Sequence, residues 1–466
     1  MRSNNTPFPS SALITGASWT SRPYGPPQNQ SGDILPTVWA GDGNQYTIMD
    51  DGGTGEPAGE LWKQSVAQIT GAPPAIRFRH VGNATRPAPA SFLQIKHDQS
   101  LWTGPLGPYY SSGLVEANHV LFATQENNWD WNANGKFAGL AGISYSTDLG
   151  QQWTAGDKPF PAPLGNLSWV LRGRGGYYAD GYVYSIATER EFNATNLIMG
   201  RSLPGVADMT DPSQWQWVSG WRRHQGLPWP VYSSSLTSAV PIASWGSHIT
   251  YPQMAYDAPL HHYLLTFTHS YAATPPGIWR AGSELDILVA PHPWGPFSFV
   301  ARETDFGPSN GYDPGVPLPW ISRNGRQLWL KWAANFDGCD AHLSCSGGYG
   351  FNYRRLQLTV PDQPGAGTAP LQSSRNTRAT DRRGPRTILH RPVSPGTAQA
   401  DPLSPTLATP SFAGPRIETA TPKATPASVG TGSGGCFRSA RARNRRSRPR
   451  ARPQRSPACS AGPSSS

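Results

Sequence analysis

Short apolar, β-rich runs, each preceded by a turn and ended by a polar residue, recur along the first 360 residues of the chain. The clearest example is residues 31–53, SGDILPTVWAGDGNQYTIMDDGG, where two apolar segments flank Asp42-Gly43-Asn44. An Asp-Gly turn between two such runs is a strong signal for a β-hairpin. Apolar positions at helical spacing are almost absent, so the pattern predicts short strands joined by turns.

The second strand of this hairpin, together with the turn before it, recurs four more times. The five copies are expected to begin, roughly 63 to 80 residues apart, at Gln45, His119, Tyr182, His262 and Gln327. Each interval has room for about four short strands, which is the repeat of a propeller blade. We therefore expect an all-β chain, with an N-terminal extension at residues 1–30 and a five-bladed β-propeller at residues 31–360.

Composition changes abruptly near residue 361. All 18 Trp and all 17 Tyr precede it, so the aromatic residues that can build a core are there. Residues 361–466 hold 17 Lys and Arg against 4 Asp and Glu, a net charge of +13, which leaves −3 for the remainder of the +10 chain. This Pro/Ser/Arg-rich basic segment cannot bury enough surface to offset its chain entropy. It is predicted to be a disordered C-terminal tail.

The end of the tail, from Arg438 to Arg455, contains nine Arg and no Lys. Such a run can tether a protein to nucleic acid, to an anionic polysaccharide or to a membrane surface. A solvated segment without a specific role is the favoured alternative, because the composition changes so sharply. The basic charge belongs to the tail, so nucleic acid is not expected as a partner of the propeller.

Residues 146–153, STDLGQQW, match the Asp-box pattern SxDxGxxW found in sialidase-like and other propellers. In this pattern Ser and Asp side chains bond the backbone of a tight turn, Gly takes the strained position and Trp packs beneath. Asp148 is therefore interpreted as a structural residue. One such turn supports a propeller, and without a set of arginines for a sialic carboxylate it does not indicate a sialidase.

Carboxylates occur at equivalent positions of the repeats. In a propeller, the start of each innermost strand and the end of the second strand lie on the same face. Asp33 and Asp51 satisfy these two conditions in the first repeat and are expected to lie nearly opposite each other, within one residue of register. Opposed residues of a hairpin are only ~5 Å apart, and two like charges at that distance are costly unless something uses them.

Other polar residues complete a ring around the predicted funnel. Glu126 occupies the end of the second strand in the second repeat and is a reserve acid. The remaining predicted substrate-binding residues are Glu189, His248, His269, Tyr312, Asp313 and Asn335. Such a ring suits a sugar, which needs many directional polar contacts and aromatic walls. It would also suit a structural Ca²⁺ in the central channel, although channel waters explain the same oxygens.

Three segments carry a resemblance to a known family. They are DILPTVWAGDGNQYTIMDDG from Asp33, APHPWGPFSF at 290–299, and the closing LWLKWAANF and YGFNYRRLQL. Together they resemble the propeller family first catalogued as a domain of unknown function, number 4185, some of whose members are endo-D-arabinanases. The likeness covers most of residues 30–360. It implies a five-bladed propeller related to arabinanases and makes Asp33 and Asp51 the leading catalytic pair.

The resemblance and the carboxylates together predict a glycoside hydrolase acting on a furanose-containing, arabinan-like polysaccharide. One carboxylic acid would protonate the departing oxygen, and another carboxylate would activate water or attack the anomeric carbon. Which of Asp33 and Asp51 plays which part stays open. The alternatives are a carbohydrate-binding propeller without catalysis, and a protein-interaction propeller. No cofactor is required.

The chain contains no hydrophobic run long enough to span a membrane. Residues 11–17, SALITGA, are too short for the core of a secretory signal peptide. The substrate class nevertheless favours a secreted or cell-surface location, although no clear signal peptide is present. A monomer that binds a polysaccharide or oligosaccharide is expected.

Overall fold

The structure is a computed structural model that describes most of the chain up to residue 361. The described residues are 6–26, 30–54, 64–81, 109–127, 140–154, 156, 158, 160, 164–176, 180–190, 192–269, 283–304, 306, 311–334 and 349–361. Nearly all of their regular structure is β-strand, which confirms the predicted all-β class. The predicted tail lies outside the described residues. In the part described, no helix is long and apolar enough to cross a membrane.

The strands form successive antiparallel sheets. The chain starts with β1 (Gly16–Trp19), whose partner comes from the far end of the domain. Sheet 1 contains β2 (Gln30–Asp33), β3 (Thr37–Trp39), β4 (Gln45–Thr54), β5 (Gln64–Thr70) and β6 (Arg77–His80). Sheet 2 contains β7 (Tyr109–Tyr110), β8 (Leu114–Ala117), β9 (Val120–Asn127) and β10 (Leu140–Ser146). The predicted hairpin is confirmed, since β3 pairs with β4 and Trp39 lies opposite Gln45.

Two further sheets are joined to each other. Sheet 3 contains β11 (Leu167–Leu171), β12 (Val183–Thr188), β13 (Ala194–Ser202), β14 (Gln216–His224) and β15 (Leu227–Ser233), with a short helix α1 (Val206–Thr210) between β13 and β14. Sheet 4 contains β16 (Ala243–Asp257), β17 (His262–His269), β18 (Glu284–Ala290) and β19 (Ser298–Glu303). Strands β11 and β16 pair in parallel at Val170 and Met254, so the innermost strands of the two sheets meet.

Sheet 5 contains residues from both ends of the domain. It consists of β20 (Tyr312–Gly315), β21 (Gln327–Ala333), β22 (Asn352–Thr359) and β1. Gly16 lies opposite Thr359 and Trp19 opposite Leu356. Part of the segment that the sequence predicted as an extension is therefore the outer strand of the last sheet. Its partner lies more than 330 residues away, so no local pattern could reveal the pairing.

Hydrogen bonds link each sheet to the next and the last sheet to the first. Each link uses a side chain, and most of the atoms involved are buried. The links are Ser111 N to Asp50 Oδ2 (2.8 Å, sheets 1 and 2), Ser112 Oγ to Leu167 O (2.9 Å, sheets 2 and 3), Asn193 N to Thr250 Oγ1 (2.7 Å, sheets 3 and 4), Gln253 Nε2 to Asp313 Oδ1 (2.7 Å, sheets 4 and 5) and Leu35 N to Asp313 Oδ2 (2.9 Å, sheets 5 and 1). The order of these contacts is cyclic.

Apolar clusters fill the space between neighbouring sheets. The largest contains residues of sheets 2, 3 and 4 and is built around three tryptophans. Trp215 stacks on Trp217 with ring centroids 5.6 Å apart, and Trp169 lies 5.7 Å from Trp215. All three indoles are almost completely buried. Fully burying aromatic side chains of this size removes a large apolar surface from water, which stabilises the packing of the sheets.

The turn after β10 is held by its own side chains. Ser146 Oγ donates to Asp148 Oδ1 (2.8 Å) and accepts from Gly150 N (2.8 Å). Asp148 Oδ1 also accepts from Gln152 N (2.9 Å), and Trp153 Nε1 donates to Gly150 O (3.0 Å). Gly150 has φ +89°, a conformation that side chains disfavour. Asp148 therefore acts here as a turn residue.

Candidate functional site

Asp33 lies where sheet 1 meets sheet 5. It is the last residue of β2 and is half-buried. The hydroxyl of Tyr312, the first residue of β20, donates to Asp33 Oδ2 at 2.8 Å. Tyr312 is only 4% exposed, and burial, with the nearby charge of Asp33, raises the pKa of its hydroxyl well above the ordinary value. The phenol therefore stays protonated and remains a donor to Asp33.

The register of the first sheet lies within one residue of an exact Asp33–Asp51 pairing, as predicted. Asp33 lies opposite Asp50, and the pairing shifts between Ser31 and Asp33. Gly32, between them, has φ +120°, which is the kind of conformation that lets a bulge form. Asp51 follows Asp50 in β4, but its side chain lies outside the described residues. The Asp33–Asp51 pair therefore remains a prediction.

Asp50 is buried where sheet 1 meets sheet 2. Its carboxylate is completely buried, and Oδ2 accepts a hydrogen bond from Ser111 N of sheet 2 at 2.8 Å. Because a carboxylate that accepts a buried backbone N–H satisfies a donor that would otherwise be orphaned, Asp50 stabilises the junction of the first two sheets. Because it is completely buried, Asp50 is not a carboxylate that a ligand could reach.

Asp313 is buried among donors from three other strands or segments. Its Oδ1 accepts from Gln253 Nε2 (2.7 Å), and its Oδ2 accepts from Leu35 N (2.9 Å) and forms an ion pair with Lys331. Lys331 Nζ also donates to the backbone oxygen of Asp313 (2.9 Å). Burial raises the pKa of Asp313 and lowers that of Lys331. The predicted substrate-binding Asp313 is therefore fully engaged inside the protein.

Asp313 is not available as a ligand for the predicted Ca²⁺ ion. An ammonium group, Lys331 Nζ, already faces the Asp313 carboxylate and neutralises it. Among the described residues, no group of three or more His, Cys, Asp or Glu is arranged to hold a metal. Calcium prefers six to eight oxygen ligands and would not share such a site with a cation. A structural Ca²⁺ elsewhere in the central channel remains a prediction.

Three residues with a strained backbone lie near this centre. Ile34, Tyr251 and Asp313 have φ of 40°, 47° and 50°. Ile34 and Asp313 directly follow Asp33 and Tyr312 in the chain. Positive φ is uncommon for any residue other than glycine and is an outlier for a β-branched or bulky one. Such residues persist only where the surrounding contacts over-determine them, and they cluster at functional sites.

A second group of buried charges lies in sheet 4, where β17 ends and β18 begins. His269 Nε2 is 2.8 Å from Glu284 Oε2, and its Nδ1 is 3.2 Å from Asp286 Oδ2. Arg302 Nε donates to Asp286 Oδ1 at 2.8 Å and lies 3.5 Å from Glu284 Oε2. His269 is 7% exposed and Asp286 is completely buried. The predicted substrate-binding His269 thus lies between two carboxylates, one near each ring nitrogen.

His248 covers this cluster. Its ring stacks on Trp245 (centroids 4.7 Å apart, interplanar angle 5°) and lies 4.4 Å from the ring of His269. Its Nδ1 bonds to the carbonyl oxygen of Gly246, so Nδ1 carries the proton and Nε2 the lone pair of the neutral form. Burial lowers the pKa of His248. At neutral pH this half-buried imidazole therefore offers a hydrogen-bond acceptor.

The other predicted site residues have different environments. Glu189 accepts from Thr195 N (2.7 Å) and Asn196 N (2.9 Å), which ties the end of β12 to β13. Glu126 lies in β9 with its backbone opposite Leu140, and its side chain is outside the described residues. Asn335 also lies outside them. Roles in substrate binding or catalysis for these three residues remain predictions.

Sequence reasoning missed Lys331, Gln253, Glu284, Asp286 and Arg302. A signal was present for three of them. Lys331, Asp286 and Arg302 are charged residues within largely apolar runs that read as buried strand, LWLKWAA, ELDILVA and SFVARE. A charge at such a position is almost never fully buried unless it is paired. The pattern therefore indicated a buried partner, but it could not name one.

Comparisons with known proteins identify structural neighbours but no family. No family model matches the chain, and no curated protein matches its sequence. The α-L-arabinofuranosidase from Podospora anserina, solved in complex with cellotriose, is 12% identical over 75% of this chain and 99% of its own, with a TM-score of 0.38. The GH43_1 enzyme from Xanthomonas citri is 12% identical over 71% and 88%, with a TM-score of 0.38.

The GH32 β-fructofuranosidase of Bombyx mori is 10% identical over 74% of this chain and 66% of its own, with a TM-score of 0.42. The structural neighbours of the chain thus include glycoside hydrolases of more than one kind. All three identities are far below 25% and all three scores are below 0.5. They assign the chain neither a family nor an activity.

Proposed function

We propose that the chain is a glycoside hydrolase with a five-bladed β-propeller fold, acting on a furanose-containing, arabinan-like polysaccharide. The five cyclically connected sheets are the blades. The observation that carries the proposal is the Asp33 carboxylate, which is half-buried at the meeting of sheets 1 and 5 and accepts a hydrogen bond from the buried Tyr312 hydroxyl (2.8 Å). A carboxylate that is both oriented and partly exposed is suited to act on a bound sugar.

Asp33 is the carboxylate we assign as general base or nucleophile. A hydrogen bond donated to a carboxylate favours its charged form, and the charged form is what either role needs. Asp51 is the proposed acid that protonates the departing oxygen, with Glu126 in reserve. Carboxyl groups ~5–5.5 Å apart would give retention of configuration, and a separation of ~6.5–9.5 Å would give inversion.

The proposed substrate contacts are residues that the sequence predicts for the same propeller face as Asp33. His248, with its neutral Nε2, can hydrogen-bond a sugar hydroxyl, and His269, Asn335 and Glu189 remain candidates. A polysaccharide substrate also agrees with the proposed secreted or cell-surface location and with a monomer. The resemblance to the arabinanase-containing propeller family supports the furanose class.

A carbohydrate-binding propeller without catalysis is the second candidate. A specific observation favours it: two predicted carboxylates, Glu189 and Asp313, accept hydrogen bonds within the protein. Fewer acidic groups are then left to act on a ligand than the sequence predicts. Such a lectin-like protein would use the histidines and aromatic residues and would tolerate the loss of Asp33.

The test is hydrolysis of arabinans, arabinogalactan and aryl-furanosides by the full chain and by Asp33→Asn and Asp51→Asn. Removing a group that acts only in the transition state lowers kcat and kcat/KM together, so each variant is expected to lose at least about a hundredfold in both. Reducing-sugar release measures activity, and circular dichroism checks folding.

Asp42→Asn is the matched control, since Asp42 lies in the turn at the other end of the same hairpin. Its carboxylate accepts hydrogen bonds from Asn44 N and from the Tyr46 hydroxyl within the turn, so activity should be retained. Binding of a glycan that persists in Asp33→Asn, with no turnover of any glycan by the unaltered chain, would replace the hydrolase with the lectin-like alternative.

A further inference from the structure

The Asp33–Tyr312 hydrogen bond is flanked by a second, deeper set of contacts. Asp313 follows Tyr312 in the chain, and its carboxylate accepts from Leu35 N, two residues after Asp33 (2.9 Å). One buried carboxylate thus contacts the segments that carry both the donor and the acceptor of the candidate site. Its other partners are Lys331 of β21 and Gln253 of β16.

The backbone between these contacts is strained. Ile34 (φ 40°) lies between Asp33 and Leu35, and Asp313 itself has φ 50°. Neither residue is a glycine, so each would relax to an ordinary conformation if its neighbours allowed it. The bond from Leu35 N to Asp313 Oδ2 joins the two bends directly. Lys331 Nζ, which donates to the backbone oxygen of Asp313 (2.9 Å), holds the second bend from the other side.

We propose that the buried Asp313–Lys331 pair is a positioning device for the candidate site: it fixes the bends at Ile34 and Asp313 and thereby aims the Tyr312 hydroxyl at Asp33. Asp313, Lys331 and Gln253 are positioning residues and touch no substrate. The consequence for catalysis rests on the proposed function, whereas the effect on Asp33 does not. Tyr312, which the sequence predicted as a substrate contact, becomes the group through which the pair acts.

A buried ion pair is better suited to fixing the orientation of these backbone segments than to stabilising the fold. Both charges are removed from water, and a buried pair is often no more stabilising than apolar side chains of the same size. Its attraction is directional, however, and Lys331 contacts both the carboxylate and the backbone oxygen of Asp313. The pair is neutral overall, so its influence on Asp33 is exerted through geometry rather than through net charge.

Several titratable groups near Asp33 influence the pH at which Asp33 titrates. Asp50 lies opposite on β4 with its carboxylate accepting from Ser111, and Asp51 follows it. Tyr312 donates from β20, and the ring of Tyr251 lies 5.9 Å from that of Tyr312. Tyr349 also acts electrostatically on Tyr312. Of these groups, Tyr312 is the one that the proposed device moves.

The test measures the titration of Asp33 in the full chain by NMR, with aspartate labelled at Cγ and the Asp33 resonance identified from its loss in Asp33→Asn. Asp313→Asn/Lys331→Met removes both buried charges, so that neither is left without a partner. Asp33 is expected to titrate at a pH about half a unit or more higher in this double variant, because a donor to its charged form is displaced. Tyr312→Phe should produce the same shift directly.

Kinetics provide the second readout. In Asp313→Asn/Lys331→Met and in Tyr312→Phe, the acidic limb of the kcat/KM profile should move upward with the titration of Asp33, while KM changes little. A residue that only stabilised the fold would leave the profile in place. Asp286→Asn/Arg302→Met is the matched control for the titration, since it removes a buried ion pair from sheet 4 and should leave the Asp33 resonance unchanged.

An unaltered Asp33 titration in the folded Asp313→Asn/Lys331→Met variant would overturn the proposal. If this variant does not fold, Gln253→Met decides, because it removes one donor to Asp313 and keeps both charges; an unshifted Asp33 there also overturns it. If the unaltered chain hydrolyses no glycan but Asp33 responds as expected, the proposed function fails and the positioning device stands.

Discussion

Individual carboxylates of this chain have very different environments, although they look alike in sequence. Asp33 is half-buried and accepts from a tyrosine hydroxyl, whereas Glu189 accepts from two backbone amides. Asp257, at the end of β16, is completely buried; its Oδ1 accepts from Leu260 N (3.2 Å) and its Oδ2 has no hydrogen-bond partner within the described part of the chain. Burial raises the pKa of Asp257 to about 6.

Asp257 is predicted to make the protein less stable as pH rises. Its folded pKa of about 6 lies above the ordinary 3.8. The folded state therefore binds more protons than the unfolded state between these values, so stability falls from about pH 4 to pH 6 and is level above. The loss is on the order of 2–3 kcal/mol. In Asp257→Asn this decline should be absent, so the stability of the variant relative to the unaltered chain should rise by that amount between pH 4 and pH 7.

Urea unfolding at pH 4 and pH 7 measures this difference. Asp211→Asn is the control, because a hydrogen bond from Lys158 lowers the pKa of the partly exposed Asp211 to about 2. Its stabilising contribution is lost only below pH 4, outside the measured window. An equal effect of Asp257→Asn at both pH values would mean that Asp257 is ionised with no penalty in the folded protein.

The sequence revealed some residues of the candidate site but not their relations. Asp33 could be found from its place before the hairpin, and its partner strand from the Asp-Gly turn. The pairing with Asp50 could not, because the bulge at Gly32 shifts the register by one residue. Tyr312 could be identified as part of the site, but its bond to Asp33 spans 279 residues and depends on the closure of five sheets.

Strands were more predictable than contacts. The second strands of the five sheets were expected to begin at Gln45, His119, Tyr182, His262 and Gln327. They begin at Gln45, Val120, Val183, His262 and Gln327. The agreement to within one residue arises because each strand follows a polar turn and begins a largely apolar, buried run, a local signal that needs no distant partner.

The two-stranded ribbon of β14 and β15 exposes large apolar side chains. Trp221, Leu227 and Val231 are 41–43% exposed on it, and β15 is the outer strand of its sheet. Pro228 and Pro230 lie in β15 and remove two N–H donors from its edge. Proline on an edge strand prevents a second chain from pairing there.

Pro228→Thr/Pro230→Thr is therefore predicted to self-associate. Threonine favours strands and restores both donors beside exposed apolar side chains, so a larger species should accumulate with increasing concentration. Light scattering coupled to size exclusion measures it. Pro241→Thr, in the exposed loop before β16, is the matched control and should stay the size of the unaltered chain. If the double variant also stays the size of the unaltered chain, the prolines do not protect the edge.

For the whole molecule, the decisive feature is closure of the last sheet by the first strand. Ala17 of β1 is 9% exposed and lies opposite Leu358, whereas Ser18 beside it is exposed. Ala17→Asp would bury a charge without a partner, so it should lower the free energy of unfolding by several kcal/mol, on the order of 3. Ser18→Asp, on the other face of the same strand, should change it by less than about 0.5 kcal/mol.

Thermal unfolding followed by circular dichroism compares the two variants. A loss confined to Ala17→Asp shows that β1 contributes to the stability of the whole ring. Equal melting temperatures for Ala17→Asp and the unaltered chain would mean that β1 can detach without cost to the remaining sheets.

The pairing of β1 with β22 also orders events in time. During synthesis, residues 16–19 leave the ribosome first, and their partners at 356–359 appear some 340 residues later. At typical synthesis rates of about 5–20 residues per second, the first strand waits roughly 17 to 70 seconds for its partner. Sheets 1 to 4 can form in that interval, but the last sheet is complete only after residue 359 has been made. The nascent chain therefore exposes an unfinished edge for most of its synthesis, and this edge is where a chaperone or a misfolding partner would act.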